Sequence, residues 1–408
     1  MEAMDNFLPR RRQHQDNLVT PSKNAAAHTE RNLGPMPTDT EASDIVVGTH
    51  LHAPKQKKSF KEWLRSITKK QWIIIGVVAG VLVIGGGIGL FFLLKDDKKP
   101  VVVEQKEEVP PPPPEPTTVA SNLTGLQVDK SVNERPVTGI MIENSMDARP
   151  QSGLLGAGVV FEAVAEGGIT RFLTLFQDSE PDYIGPVRSV RPYYIQWALG
   201  FDAAIAHAGG SADGLNLLKS TGAKDLNHNS NYFWRVNNRT APHNLYTSIA
   251  KLREYEAHKG YGKANYTSLA RKAEAPNAAP TAKKIDFNIS SANFNVHYDY
   301  DATTNTYKRS EGGKAHTDER SGTQLSPKVV VGLIMAQGKS GIYSTYGTIG
   351  SGEVVVFQDG IATEGTWKKD SNTTNFSFTD KNGNALALNP GQTWFTVVGG
   401  RDRITFAP

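Results

Sequence analysis

The sequence predicts an α+β protein: a mixed α/β first half packed against a strand-rich, mainly antiparallel second half, preceded by one transmembrane helix. Three observations carry this. Residues 72–94 form an uncharged apolar run. Between residues 122 and 262 short apolar runs alternate with helical stretches. After residue 285 the apolar runs are short, rich in β-branched and aromatic residues, and separated by turn pairs.

Residues 1–71 read as a disordered cytoplasmic tail. Up to about residue 54 the tail is rich in Asn, Gln, Thr, Ser, Pro and His and has no sustained apolar period. Within SFKEWLRSITKK (59–70), Trp63, Leu64 and Ile67 can seat a short basic helix at a membrane interface. The run 72–94, WIIIGVVAGVLVIGGGIGLFFLL, has no charge and no proline. At about 1.5 Å per residue it is long enough for a hydrocarbon core of roughly 30 Å. Its glycines are common in membrane helices, and Gly76-x-x-x-Gly80 and Gly85-x-x-x-Gly89 match a helix-pairing pattern. Lys55, Lys57, Lys58, Lys61, Arg65, Lys69 and Lys70 precede the run against Glu62 alone, whereas Lys95, Asp96, Asp97, Lys98 and Lys99 follow it. This asymmetry predicts an uncleaved signal anchor of a single-pass cell-membrane protein, N-terminus cytoplasmic and C-terminal module extracytoplasmic. Membrane lipid is therefore an expected partner.

Residues 95–121 read as a linker stiffened by the prolines 110–114. The module beyond it divides at a loose Ala- and Asn-rich stretch, 263–284, into domains 122–262 and 285–408. In the first, PVTGIMIE (136–143) reads as a strand. GVVFEAVA (158–165) and ITRFLTLFQ (169–177) read as a hairpin closed by Glu166-Gly167-Gly168. Residues 191–199 look helical, FDAAIAHAG (201–209) ends in glycine, LNLLKS (215–220) follows as a helix, and SIAKLREYEAHKG (248–260) is an amphipathic helix with a glycine stop. In the second, FNVHYDYD, TYKRSEGG, PKVVVGLIMA, GEVVVFQDG, ATEGTWKK, FSFTDKNGN and TWFTVVGG read as strands, with Asp359-Gly360 and Asn382-Gly383 as hairpin turns.

The net charge of +4 is small and concentrated at the membrane, which argues against nucleic acid as a partner. The absence of cysteine excludes disulfides, thiolate chemistry and lipid attachment through a cysteine. No cofactor or metal is expected.

The polar residues of the first half gather in loops beside strands: IENSMDARPQSGL (142–154), EAVAEGGITRF (162–172), IGPVRSVRPYY (184–194), HAGGSADG (207–214) and FWRVNNRTAPHNLYTS (233–248). With AHTDERSGTQLSP (315–327), VVVFQDGIATEGTWKK (354–369) and LNPGQTWFTVV (388–398), these segments resemble the YerB-like bacterial surface proteins, the N- and C-terminal parts of domain of unknown function 3048. The resemblance covers residues 132–398. It implies an exported, membrane-anchored protein, often a lipoprotein, and carries no catalytic residue. The chain departs from the lipoprotein pattern by having no cysteine and a membrane run instead.

The site candidates rest on the residues themselves. Arg188 and Arg191, bracketed by Gly185-Pro186 and Pro192, suit a bidentate carboxylate or phosphate at a helix start, or an ion pair with Glu162 or Glu166. Glu162, Glu166 and Arg171 flank the hairpin turn as an acid/base couple or as ion pairs. His207 precedes Gly209-Gly210-Ser211, where Ser211 and Asp213 fit helix caps better than a nucleophile elbow. His243 and Asn244, beside Pro242 and Tyr246, suit ligand contact. His207 and His243 lack metal-ligand spacing, and His316 and Asp318 lie in a polar loop that can face the first half.

The expectation is one pocket built from Glu162, Glu166, Arg171, Arg188, Arg191, His207, Ser211, His243 and Asn244. It would bind an anionic cell-envelope polymer or peptide. The alternatives are a cell-wall-polymer hydrolase or transferase working through Glu and His, and an envelope scaffold.

Overall fold

The computed structural model describes residues 60–65, 68–93 and 116–408. The chain divides into two units, Met1–Glu108 and Val109–Pro408. The first contains helices Phe60–Arg65 and Lys69–Leu93, so the end of the stretch expected as disordered tail is helical. The tail to residue 59 and most of the linker expected at 95–121 lie outside the described residues. Among the residues whose side chains are described, no helix is long and apolar enough to cross a membrane. Those of 82–93 fall outside that set.

The second unit begins earlier than expected. Thr118–Ala120 pairs antiparallel with Gln127–Asp129, and Ser121 and Thr124 both donate to Asp178. Its main feature, among the described residues, is a twelve-stranded sheet. Ten strands follow one path: Ser377–Asp380, Ile361–Lys369, Gly350–Gln358, Val329–Ile334, Thr393–Val398, Val159–Glu166, Ile169–Phe176, Thr138–Glu143, Ala204–His207 and Asp225–Asn227. The α+β class is as the sequence predicts, but the halves do more than pack together. Thr393–Val398 lies parallel to both Val329–Ile334 and Val159–Glu166, so one sheet runs through both halves. The two strands off the path, Gln337–Ser340 and Tyr343–Tyr346, form a hairpin that the sequence reading missed. It meets the sheet where Tyr343 pairs with Glu166.

Local chemistry explains the helices. Ser211 and Ser248 cap Ala212–Thr221 and Ile249–Lys259 by accepting from Gly214 N and Lys251 N, and Gly222 and Gly260 end them in the left-handed region. Pro192 opens Pro192–Leu199, where its missing N–H costs nothing.

Each sheet face buries its own core. On one face Tyr193, Tyr194 and Trp197 pack on Met141, Phe161 and Leu173. Phe161 stacks on Trp197 at 5.2 Å and on Phe395 of the second half at 4.6 Å. On the other, Ile249 and Leu252 pack on Ile140, Ile142, Val160, Phe172 and Trp394. A separate five-stranded sheet, Lys314–Ala315, Thr306–Glu311, Val296–Asp301, Lys284–Phe287 and Ile404–Ala407, shares a third core with the second half's strands.

Candidate functional site

Alternation along Val159–Glu166 would put Glu162 and Glu166 on one face. A β-bulge prevents this. The register runs Val164 to Thr170 and then Glu166 to Ile169, leaving Ala165 unpaired. The extra residue turns Glu166 to the face that carries Arg171. There Glu166 accepts from Arg171 Nη2 at 2.6 Å and Arg191 Nη2 at 2.8 Å. Burial works against the Glu166 carboxylate, but Arg171 and Arg191 outweigh it and hold the group below its ordinary range. Arg191 also donates to Val190 O, and its guanidinium lies 4.6 Å over the Tyr343 ring. Arg171 donates to Ser189 O as well. Arg171 and Arg191 are thus ties between elements, which corrects the expectation that they meet a ligand.

Glu162 lies on the opposite face with no exposed surface, beside Arg309, also with none. Arg309 donates to Glu162 Oε2 at 2.8 Å, to Tyr298 Oη at 2.8 Å and to His316 Nδ1 at 2.9 Å, with Trp394 4.3 Å beneath it. Because His316 Nδ1 accepts, its proton sits on Nε2, which donates to Gln151 Oε1 at 2.9 Å. Gln151 Nε2 donates to Asn144 Oδ1, and Asn144 Nδ2 donates to Thr170 Oγ1 and Glu311 Oε1. Thr170 closes the ring by donating to Glu162 Oε1 at 3.2 Å. Burial opposes the charge on Arg309, but its acidic neighbours, Glu162 first, outweigh it and hold the guanidinium charged. Burial, with Arg309 and Arg149, keeps His316 neutral by pushing it well below its ordinary value. An acid/base couple of Glu162 and Glu166 is therefore ruled out: the two carboxylates face opposite sides of the sheet, each committed to arginine.

His207 is fully buried, 2.8 Å from Gly209 O and 3.0 Å from Asp225 Oδ1. Ser211 is spent on its cap and Asn244 on Arg235 and Val236 O. None of these three joins the expected common pocket. Asp318 accepts from Gly153 N at 2.7 Å and so ties the second half to the first. Among the described residues no group of three or more His, Asp or Glu is placed to hold a metal ion.

Arg188 and His243 do come together, through a residue the sequence reading left out. Glu143, 3 % exposed, meets Arg188 Nε at 3.2 Å and His243 Nδ1 at 3.0 Å. Ser145 Oγ donates to Glu143 Oε1 and lies 3.3 Å from the same His243 Nδ1. A nucleophile relay needs serine and acid on different ring nitrogens; Asp147 Oδ2 faces His243 Nε2 from 3.9 Å, beyond hydrogen-bond reach, and Glu143 shares Nδ1 with Ser145, so this is not a hydrolytic triad. His243 lines an open cleft of about 650 Å³ with Asp147, Asn238, Arg239, Thr240, Ala241 and Glu319. Arg239 braces its wall by donating to Asp147 O, Pro150 O and Glu319 Oε1.

Comparison with known proteins places this geometry. A family model described as "Protein of unknown function (DUF3048) N-terminal domain" matches residues 123–262, and its C-terminal counterpart matches residues 285–395. A Bacillus subtilis (strain 168) protein named "Putative lipoprotein YerB" is 32 % identical over 288 residues, 68 % of this chain and 85 % of that protein. The chain belongs to the YerB-like family. The crystal structure of YerB from Bacillus subtilis matches with a TM-score of 0.65 at 30 % identity, over 71 % of this chain and all of that one. The YerB-like module here therefore has the fold of a solved relative. The relative's name does not carry over as an attachment chemistry, because lipid attachment through a cysteine needs a cysteine and this sequence has none.

The YerB-like residues that the sequence reading missed are Glu143, Arg239, Arg309 and Glu311. A signal existed for two of them. In TYKRSE, alternation puts Arg309 and Glu311 on the face of Tyr307, and that face is buried.

Proposed function

We propose that this is a membrane-anchored, extracytoplasmic binding module that captures an acidic cell-envelope ligand at Arg188, which Glu143 joins to His243 on the wall of the neighbouring cleft. One observation carries the reading. Arg188 approaches Glu143 with Nε at 3.2 Å without a formed hydrogen bond, its terminal nitrogens donate no hydrogen bond among the described residues, and its side chain is 27 % exposed. A guanidinium fork left open beside an imidazole suits a carboxylate or phosphate. Hydrolysis has less support, because Glu162 and Glu166 lie on opposite sheet faces, each locked to arginine, and the Ser145–His243 geometry is wrong for a relay.

Anchoring rests on the helix Lys69–Leu93, whose 25 residues span about 37 Å and contain no acid. Trp72, Ile73, Ile74, Ile75, Val77, Val78 and Val81 are all exposed on it, an apolar surface that suits lipid better than water. Protease added to intact cells should remove residues 123–408 and leave the N-terminal tail protected. Protection of the C-terminal module would reverse the proposed topology.

The binding test uses the full chain in detergent and a digest of purified peptidoglycan bearing free carboxylates. Arg188→Ala should weaken binding by about 1.5–3 kcal/mol, the worth of a charge-assisted hydrogen bond. Its melting temperature should also fall, because the buried Glu143 loses the charge of Arg188, so binding is compared on folded protein held below that transition. Undiminished binding in Arg188→Ala would dismiss this site. Arg191→Ala is the contrasting variant: it should lower stability, because it strips one of the two arginines from Glu166, and leave the binding of folded protein unchanged.

A further inference from the structure

A second cavity, of about 430 Å³, opens where the loop 145–150 of the first half meets the turn 312–315 of the second. Met146, Arg149, Asn293, Glu311, Lys314 and His316 are among its walls. Glu311 is the unusual member. Its side chain is 2 % exposed, and its two oxygens have different surroundings. Oε1 accepts from Arg149 Nη2 at 3.0 Å and from Asn144 Nδ2. Oε2 is buried and has no hydrogen-bond partner. His316 Nδ1 is 3.5 Å away, with its lone pair already taken by Arg309. An ionised oxygen left buried without a donor is costly, so the geometry favours a proton on Oε2. That makes Oε2–H a buried donor without an acceptor.

The charge around it is positive. The groups that face Glu311 are Arg149 from the loop, Glu162 from Val159–Glu166, Arg309 from its own strand, His316 from the following loop and Lys314 in the turn. Glu162 balances one arginine and His316 is neutral, so Arg149 or Arg309 remains uncompensated beside a neutral Glu311. Lys314 is exposed, and no hydrogen bond or ion pair occupies it among the described residues. Arg149 spends four of its five N–H groups on Asn144 Oδ1, Asn144 O, Asn293 O and Glu311 Oε1, so it contributes chiefly its charge to the cavity.

We propose that this cavity binds a small organic carboxylate, with Glu311 Oε2–H donating to it and Lys314 as the counter-charge at its mouth. The carboxylate could be a peptide C-terminus or an acidic sugar, which offer the same group. Burial, opposed by Arg309, pushes Glu311 up to about 7, so the donor form is lost as pH rises through neutrality.

The test is calorimetric titration of the full chain in detergent with N-acetyl-alanyl-alanine and with glucuronate, at pH 6 and pH 8. The dipeptide amide and glucose are the uncharged controls. At least one carboxylate should bind at pH 6, its control at least about tenfold more weakly, and its affinity should fall about tenfold by pH 8, as a donor titrating near 7 requires. The probe that binds names the source. Glu311→Gln keeps an N–H at the Oε2 position and should bind equally at both pH values. Lys314→Ala, at an exposed position, should weaken binding about fivefold with its melting temperature unchanged, and remains informative if Glu311→Gln fails to fold. Absence of binding by both carboxylates at pH 6, equal binding of a control, or unaltered binding in Lys314→Ala would each overturn the proposal.

Discussion

Arg309→Ala should destabilise the module by about 3–5 kcal/mol, the cost of stripping one partner from a buried ion pair. Arg309 has no exposed surface and makes three side-chain hydrogen bonds, to Glu162, Tyr298 and His316. Removing it leaves Glu162 buried with only Thr170 and Trp394 as donors, neither of them charged. Denaturant unfolding followed by tryptophan emission measures the loss, since Trp394 lies against the guanidinium. The double variant Glu162→Met/Arg309→Met should recover much of it, because replacing a whole buried pair by apolar groups is often neutral. A loss below about 1 kcal/mol in Arg309→Ala would mean that the network contributes little to stability.

Phe161→Ala should cost a similar amount, about 3–5 kcal/mol, by opening a cavity in a packed aromatic cluster. Phe161 is fully buried, stacked on Trp197 and Phe395, with Phe201 and Phe376 each at 6.1 Å. Because Trp197 belongs to the first half and Phe395 to the second, the change should lower one shared transition. Probes in the two halves should shift together. A transition in residues 285–408 that stays where it was would show that the halves melt separately.

Much of the fold is legible in the sequence because its signals are local. Ser211 with Gly222, Ser248 with Gly260, and the Asp359-Gly360 turn each act within a few residues of themselves. What is not legible is set by distant partners. Nothing in TWFTVVGG says that it pairs in parallel with residues 159–162. Nothing in EAVAEGG announces the bulge that separates Glu166 from Glu162, so the two read as companions. The site suffers most from this. Arg188 and His243 were legible as ligand-type residues, but Glu143, which brings them together, reads as the end of an apolar strand.

The strand Thr393–Val398 is central in the sheet and follows both of its sheet neighbours in sequence. Until it is in place, Val159–Glu166 and Val329–Ile334 each lack a neighbour on one side. A chain that emerges N-terminus first therefore keeps two apolar strand edges open until residues 393–398 have been released. Such edges invite pairing with other chains, and contacts so distant in sequence form slowly. A ribosome stalled just short of residue 393 would present an intermediate that holdases and proteases readily engage, although both strands that flank the gap have been made.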